Sequence, residues 1–595
     1  MKPAGRLARM LVRLRRLTRN DQIVLSLLAV VAGAVVAYGS LGFRWLIGAV
    51  QYLFYGDAQE YLLSVASSLP WWQILLAPAA GGLLIGLFLK FIMPGGRPLG
   101  VAHVIEVGAL RSGRMSLNQA LGAAFVSAAS IGVGGSAGRE GPMVHLGAAL
   151  SSYLAKRFHL TPSITLTLLG CGVASGVAAS FNAPIAGVFF ALEVVIGHYA
   201  LHAFSPIVIA SVVGTIVSRA HLGDTPAFIV IEHLPVHIAE YPAFILLGLS
   251  CAVVATVLLR SITLADTAFS KSPLPVWFRP AVGGLFVGVI ALMFPQVLGV
   301  GYEATDLALK DSYALWMLLA LIVAKTLATS LTIGAGFGGG VFSPALFVGA
   351  MTGGAFGIIA GSVFPELSSG VGLYAMVGMG AVAAPVLGAP ISTILIVFEL
   401  TGDYSMTIAA MIAVSVASVT TQQVFGGKSF FAWQLDRRGL DLGGGRARQV
   451  LAARHAEDVM ADDFHIVHEH ITMDKIRETL RDSMDDHIFV VDDNDRLTGS
   501  LSFTDIKDIA FESGLDHLIN ARDAARPHPI YVERLESLEK VLGIMDSSGL
   551  LYVPVIDNAE NMRVVGLVHH RRVLTEYNKA LIDMHAEEHG ETKSR

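Results

Sequence analysis

Two runs in this chain set polar or ionisable residues among glycines and a proline inside apolar sequence. The first is Gly134-Gly135-Ser136-Ala137-Gly138-Arg139-Glu140-Gly141-Pro142. An ionisable side chain at membrane depth costs at least ~2.5–3.5 kcal/mol, so it is by default a functional-site hypothesis. Here two stand side by side. Glycine lets a backbone approach a ligand closely. Proline at a first helical position leaves neighbouring amides free to face a negative group. The run reads either as a broken-helix anion site with a carboxylate beside it or as an interhelical Arg–Glu pair near the lipid interface. The second run, Gly334-Ala335-Gly336-Phe337-Gly338-Gly339-Gly340-Val341-Phe342-Ser343-Pro344, is a glycine-rich break of the same kind.

The elements that must hold these runs are membrane helices. Of 595 residues, 53% are hydrophobic and 15% charged, well below the ~25% charge of soluble domains. Apolar runs long enough to span a bilayer recur up to about residue 425. Spans are expected over 22–54, 72–93, 241–262, 278–294 and 314–333, and 116–133, apolar and rich in Ala, Ser and Gly, suits close helix packing. A short helix is expected over 142–155, with shorter pieces over 162–178, 184–196, 202–219, 345–362, 371–385, 390–400 and 405–424. The pieces at 162–178, 184–196 and 202–219 read as partial or steeply tilted helices. Segments 56–68, 220–240 and 295–313 read as loops, and Pro94 to Val101 as a break.

The membrane part carries an internal repeat. Asn182-Ala183-Pro184-Ile185 precedes Glu193 as Gly388-Ala389-Pro390-Ile391 precedes Glu399, with the acid nine residues after the proline each time. Pro142 with Gly147-Ala148 matches Pro344 with Gly349-Ala350. Interrupted hydrophobic segments at matching places in two halves point to a transport site between them. Phe342 takes the place of Glu140 in the second half, so one half alone carries the carboxylate.

Residues 1–21 carry Lys2, Arg6, Arg9, Arg13, Arg15, Arg16 and Arg19, which predicts a cytoplasmic N-terminus. The following apolar run is too long for a signal peptide. Cys171 and Cys251 lie in apolar segments and read as core residues, neither a disulfide nor a metal site. Ser136 has no His and Asp at nucleophile spacing, which argues against an enzyme. A basic, aromatic-rich face for nucleic acid is lacking. After a membrane domain over 22–432 and a basic, glycine-rich linker over 433–454, residues 455–580 read as soluble α/β sequence with two similar copies. The tail over 581–595 reads as disordered.

These motifs resemble the CLC family of chloride channels and proton-coupled chloride exchangers. Gly138-Arg139-Glu140-Gly141-Pro142, Gly340-Val341-Phe342-Ser343-Pro344 and Ser180-Phe181-Asn182-Ala183-Pro184-Ile185-Ala186-Gly187 match three of its signatures in order, and the resemblance covers about 22–440. It implies a polytopic α-helical fold of inverted repeats with tilted and broken helices. It also implies a homodimer with one anion pathway per subunit, cytoplasmic termini and residence in the inner (plasma) membrane. Glu140 would be the gating glutamate, released by protonation. The anion would meet Arg139, Gly141, Val341 and Phe342, the last two through their amides. At the places of the family's serine and tyrosine donors stand Leu99 (beside Gly100) and Phe431, which carry no hydroxyl.

The family's internal proton glutamate aligns with Val194, and the adjacent Glu193 reads as structural. His145 and His198 read as packed or interfacial. The resemblance therefore points to passive, Glu140-gated chloride conduction, with proton-coupled antiport as the alternative and a membrane sensor without transport as a third possibility. Residues 455–512 and 524–578 resemble a tandem CBS pair. Ser502 and Asp505 fit the adenosine-nucleotide pattern, whereas His569-His570-Arg571-Arg572 in the second copy lacks both hydroxyl and acid. ATP, ADP or AMP is the expected ligand there, and the alternative is a purely structural dimerisation module. No cofactor is expected for transport.

Overall fold

The computed structural model describes residues 21–589 except 59–61, 94–97, 111–112, 198, 200, 225–227, 229–235, 441–450, 452–453, 483–486, 503–505 and 508–517. The basic stretch before residue 21, His198, Asp505, most of the linker and the end of the tail lie outside the described residues. The chain forms two units, 1–440 and 441–595.

The first unit is a multi-pass helical membrane domain. Its helices are α1 (Asp21–Tyr55), α2 (Leu62–Ala66), α3 (Trp71–Ile92), α4 (Val101–Leu110), α5 (Leu117–Gly132), α6 (Glu140–Arg157), α7 (Pro162–Phe181), α8 (Pro184–Phe190) and α9 (Leu201–Leu222). They continue with α10 (Tyr241–Lys271), α11 (Arg279–Met293), α12 (Tyr302–Leu309), α13 (Leu315–Ala335), α14 (Phe342–Val363), α15 (Val371–Leu387), α16 (Pro390–Thr401), α17 (Tyr404–Val419) and α18 (Phe430–Asp436). Among the described residues, eight helical segments are long and apolar enough to cross a membrane. Several expectations change. The span expected over 278–294 is a 15-residue helix, and the short pieces expected over 345–362 and 405–424 belong to segments of 22 and 21 residues, long enough to span. Helices α7 and α9 are 20 and 22 residues long, sufficient for spans, and only the α8 segment is short. Helix α4 starts at the end of the Pro94–Val101 break and fills sequence given no element, and α12 occupies sequence read as a loop. They are 10 and 8 residues long, too short for periodicity to reveal.

Each half runs in the same order: a short helix, a longer one, a break, then two packed helices and a short helix beginning with Ala-Pro. Residues at equivalent places make equivalent contacts. Gly147 of α6 meets Gly172 of α7, and Gly349 of α14 meets Gly378 of α15. A Cβ on any of the four would lie 2.2–2.4 Å from the facing carbonyl oxygen, so each pair of helices can approach this closely only without side chains. Helix α7 ends at Asn182 (φ 59°) and α15 at Gly388 (φ 70°), both left-handed. The proline two residues later begins the next helix, where its missing N–H costs nothing.

The ends of α8 and α16 are exchanged between halves. Helix α8 runs into a π turn (Ala191–Ile196) that carries Glu193. Its carboxylate accepts the amides of Ile391 (3.0 Å) and Ser392 (2.9 Å) at the start of α16. Glu399 of α16 accepts the amides of Ile185 and Ala186, both at 2.7 Å, at the start of α8. Each acid thus satisfies orphan helix donors of the other half, which is why the sequence repeats the proline-to-acid spacing.

The second unit holds two small sheets. Strands β1 (His465–His468), β2 (His487–Val491), β3 (Leu497–Ser502) and β4 (Arg526–Pro527) form one, in that order. Strands β5 (Val532–Glu533), β6 (Tyr552–Ile556) and β7 (Val564–His569) form the other. In both, a parallel pair is followed by an antiparallel hairpin, β1-β2-β3 and β5-β6-β7. A helix precedes each hairpin, α19 (Met473–Asp482) and α21 (Leu538–Ser548), with the single turn α20 (Ala521–Ala524) between them. The final helix is α22 (His570–His589). Phe489 and Leu497 of the first copy pack with Ile556 and Leu567 of the second.

Candidate anion and proton site

The two glycine-rich breaks meet. Gly138 N–H donates to Gly340 O (2.7 Å) and Gly340 N–H to Gly138 O (2.8 Å). Behind them, Ser136 N–H donates to Thr332 Oγ1 of α13 (3.1 Å), and Gly338 N–H to Ser130 Oγ of α5 (2.8 Å). Each break is therefore pinned by a hydroxyl from the other half. The N-termini of α6 and α14 are brought to one place, each with first-turn amides that have no intrahelical partner. Two aligned helix ends favour a negative charge there.

Glu140 is the first residue of α6 and is 0% exposed. Its Oε1 accepts Tyr302 Oη and Ser343 Oγ, both at 2.6 Å. Oε2 is buried and has no hydrogen-bond partner among the described residues. A Cβ at position 138 would stand 2.7 Å from Oε2, so glycine is needed there to seat the carboxylate. The guanidinium of Arg139 lies 4.7 Å from the centre of the Tyr302 ring, a cation–π contact that fixes the ring carrying the donor hydroxyl.

A cavity of about 180 Å³ leads to this carboxylate. It is smaller than the ~300–1,000 Å³ of sites for organic ligands and suits a small anion with water. Leu99, Gly100, Glu140, Gly141, Val341, Phe342 and Phe431 all line it. Arg139 is absent from the lining, beneath Tyr302. Arg279, Arg437 and Arg438 line the far end. The last two are about a third exposed (34% and 33%), which marks where the cavity opens. They pair with Asp266 and Glu106.

The remaining sequence candidates lie elsewhere. Glu193 caps α16, and Val194 is half-buried against the core. His145 is not isolated: its Nε2 is 3.1 Å from Nδ1 of His103 on α4. In the second unit Ser502 is buried at the end of β3. His570 bonds Asp546 (3.1 Å), and Arg572 donates to the carbonyls of Val459 (3.3 Å) and Met460 (3.4 Å).

Sequence reasoning missed Tyr302 as a partner of Glu140. It named Ser343 only as part of a motif. Tyr302 directly follows Gly301, a left-handed glycine (φ 88°) that caps α12, and this Gly-Tyr-Glu start to a short helix was the one available signal.

The description "voltage gated chloride channel" matches residues 81–422, and the CBS description matches 456–512 and 521–579. A ClcB-like protein of Ralstonia nicotianae is 34% identical over 410 residues, covering 68% of this chain and 95% of that protein. The voltage-gated ClC-type chloride channel ClcB of Escherichia coli is 32% identical over 403 residues, covering 67% and 95%. The crystal structure of a slow cyanobacterial chloride/proton antiporter superposes with a TM-score of 0.62 at 23% identity, over 70% of this chain and 97% of that one.

Proposed function

Because the chain belongs to the voltage-gated chloride channel (CLC) family, we propose that it is an anion transporter that exchanges chloride or a similar small anion for protons, with Glu140 serving both ions. The observation that carries this reading is the seat of Glu140. The cavity ends on a fully buried carboxylate clasped by two hydroxyls and facing two helix N-termini. An anion passing this point must replace the carboxylate, and the carboxylate leaves most easily when a proton removes its charge. Anion movement and proton arrival then share one group. The amides of Val341 and Phe342 and the backbone at Gly100 and Gly141 hold the anion, because Leu99 and Phe431 offer no hydroxyl. Weak amide binding lets the ion leave again.

Passive conduction is the second reading, favoured by Val194, which offers no carboxylate for handing protons onward. Proteoliposomes holding the full chain separate the two. With antiport, an imposed proton gradient drives chloride uptake against its own gradient; with passive conduction it drives none. The same vesicles with nitrate, fluoride and bicarbonate rank the anions. We place the protein as a homodimer in the plasma membrane with cytoplasmic termini. The CBS pair is read as an adenine-nucleotide site at Ser502 and Asp505, tested by calorimetry of the full chain with ATP, ADP and AMP.

A further inference from the structure

Lys325, in the middle of α13, is wholly buried. No carboxylate lies within ion-pair distance of it among the described residues. Its ammonium instead donates to three backbone carbonyls of one turn: Val297 (3.0 Å), Gly299 (3.0 Å) and Val300 (3.5 Å). It also stands 5.0 Å from the centre of the Phe347 ring. A buried cation satisfied only by carbonyls is costly to maintain, and the location of those carbonyls gives it a use. The turn they belong to continues through Gly301 directly into Tyr302. A Cβ on Gly301 would lie 3.1 Å from the ammonium and 2.8 Å from Phe347, so the turn is moulded against the lysine. Gly299 N–H in turn donates to Gly134 O (3.2 Å), at the start of the first break.

We propose that Lys325 is a positioning residue for the Glu140 gate: by gathering the carbonyls of Val297, Gly299 and Val300 it fixes the Tyr302 hydroxyl on the Glu140 carboxylate and so sets the pH at which the gate releases. This rests on the reading that protonation of Glu140 opens the pathway. The titratable and charged groups brought to Glu140 are Tyr302 from α12, Arg139 from the turn before α6 and, behind the turn, Lys325 from α13. Helix α14 presents the hydroxyl of Ser343.

The sign follows from the hydrogen bond. Tyr302 donates to the charged carboxylate and stabilises the closed, ionised form. Loosening Tyr302 makes Glu140 easier to protonate, so release moves to higher pH.

The test is anion efflux from proteoliposomes of the full chain over a pH series. Lys325→Met, similar in length and uncharged, is expected to raise the midpoint by about one pH unit, the scale of one hydrogen bond to a charged group. Lys325→Arg keeps the wild-type midpoint. In a Tyr302→Phe background, Lys325→Met adds nothing, because both act through one hydroxyl. If Lys325→Met does not assemble, Lys325→Gln is measured instead with the same expected direction. An unshifted midpoint in the folded variant, or a full further shift on top of Tyr302→Phe, overturns the inference. A pH response that survives Glu140→Gln overturns the reading of Glu140 itself, a separate and distinguishable failure.

Discussion

The two halves of the membrane domain share a scaffold and differ in chemistry. Ser130 and Thr332, Gly138 and Gly340, Gly147 and Gly349, and Glu193 and Glu399 make matching contacts on the two sides. The symmetry fails at the first helical residue after each break, Glu140 in one half and Phe342 in the other. It fails again one residue further on, where Gly141 faces Ser343. The second half thus supplies a hydroxyl to the carboxylate of the first. The short helices diverge as well: the start of α4 brings Leu99 and Gly100 to the cavity, whereas the start of α12 brings Tyr302 onto Glu140. Paired residues hold the backbone, and unpaired residues build the seat of the buried carboxylate and the cavity that leads to it. That rule sorts two carboxylates that look alike in sequence, Glu140 and Glu193.

The largest expected effect breaks the asymmetry directly. Glu140→Gln removes the charge of the carboxylate that has no counterpart in the second half. Proton-driven chloride uptake should vanish, and the remaining anion flux should lose its pH dependence, as read in the proteoliposome assay. Retained coupling would remove Glu140 from the mechanism.

Much of the paired scaffold was legible in the sequence because each motif is contiguous. A glycine run before Glu140 and Pro142, its echo before Pro344, and two Ala-Pro-Ile starts state the repeat without any tertiary knowledge. The spacing of Glu193 and Glu399 from their prolines was legible as part of the repeat, but not the helix amides that each acid meets. The unpaired chemistry was less so. Tyr302 and Glu140 are 162 positions apart, and Ser343 and Glu140 are 203 apart. Tyr302 also sits on an eight-residue helix inside a polar stretch, where hydrophobic periodicity has too few turns to register. Lys325 was hidden for a different reason: a single lysine in an apolar helix signals expense but does not say which carbonyls satisfy it. Leu99 and Phe431, read from the sequence as replacing two hydroxyl donors, both line the cavity. The hydroxyls on the Glu140 carboxylate come from Tyr302 and Ser343 instead.

A smaller effect sharpens the comparison. Glu193→Gln and Glu399→Gln each replace a carboxylate that caps the opposite half's helix. Hydrogen bonds to charged groups contribute about 1.5–3 kcal/mol, so each should lower thermal stability, and by similar amounts. Neither should alter the proton-to-chloride ratio. A loss of coupling in Glu193→Gln alone would make that acid a proton carrier and break the rule that paired acids are structural.

The smallest effect extends the rule to the second unit, whose copies repeat in tandem. Asp492 accepts the amides of Asn494 (2.8 Å) and Arg496 (2.9 Å) in the β2–β3 turn. Asp557 accepts those of Asn558 (2.8 Å) and Arg563 (3.0 Å) in the β6–β7 turn. The Arg496 amide is the main cause holding the Asp492 carboxyl below its ordinary value. For Asp557, lost solvation pushes upward, but the donors from Asn558, Asn561 and Arg563 together outweigh it and the carboxyl is again held low. A depressed carboxyl adds stability above its unfolded pKa, near 3.9 for aspartate, and that stability is lost as pH falls through the lower folded value. Both turns should therefore loosen together in acid, seen as a fall in the protection of the Arg496 and Arg563 amides relative to their intrinsic exchange rates at the same pH. Asp492→Asn should speed exchange in the first turn alone and Asp557→Asn in the second alone, by similar factors and with transport unchanged. Unequal effects would mean that one turn carries a duty its twin lacks.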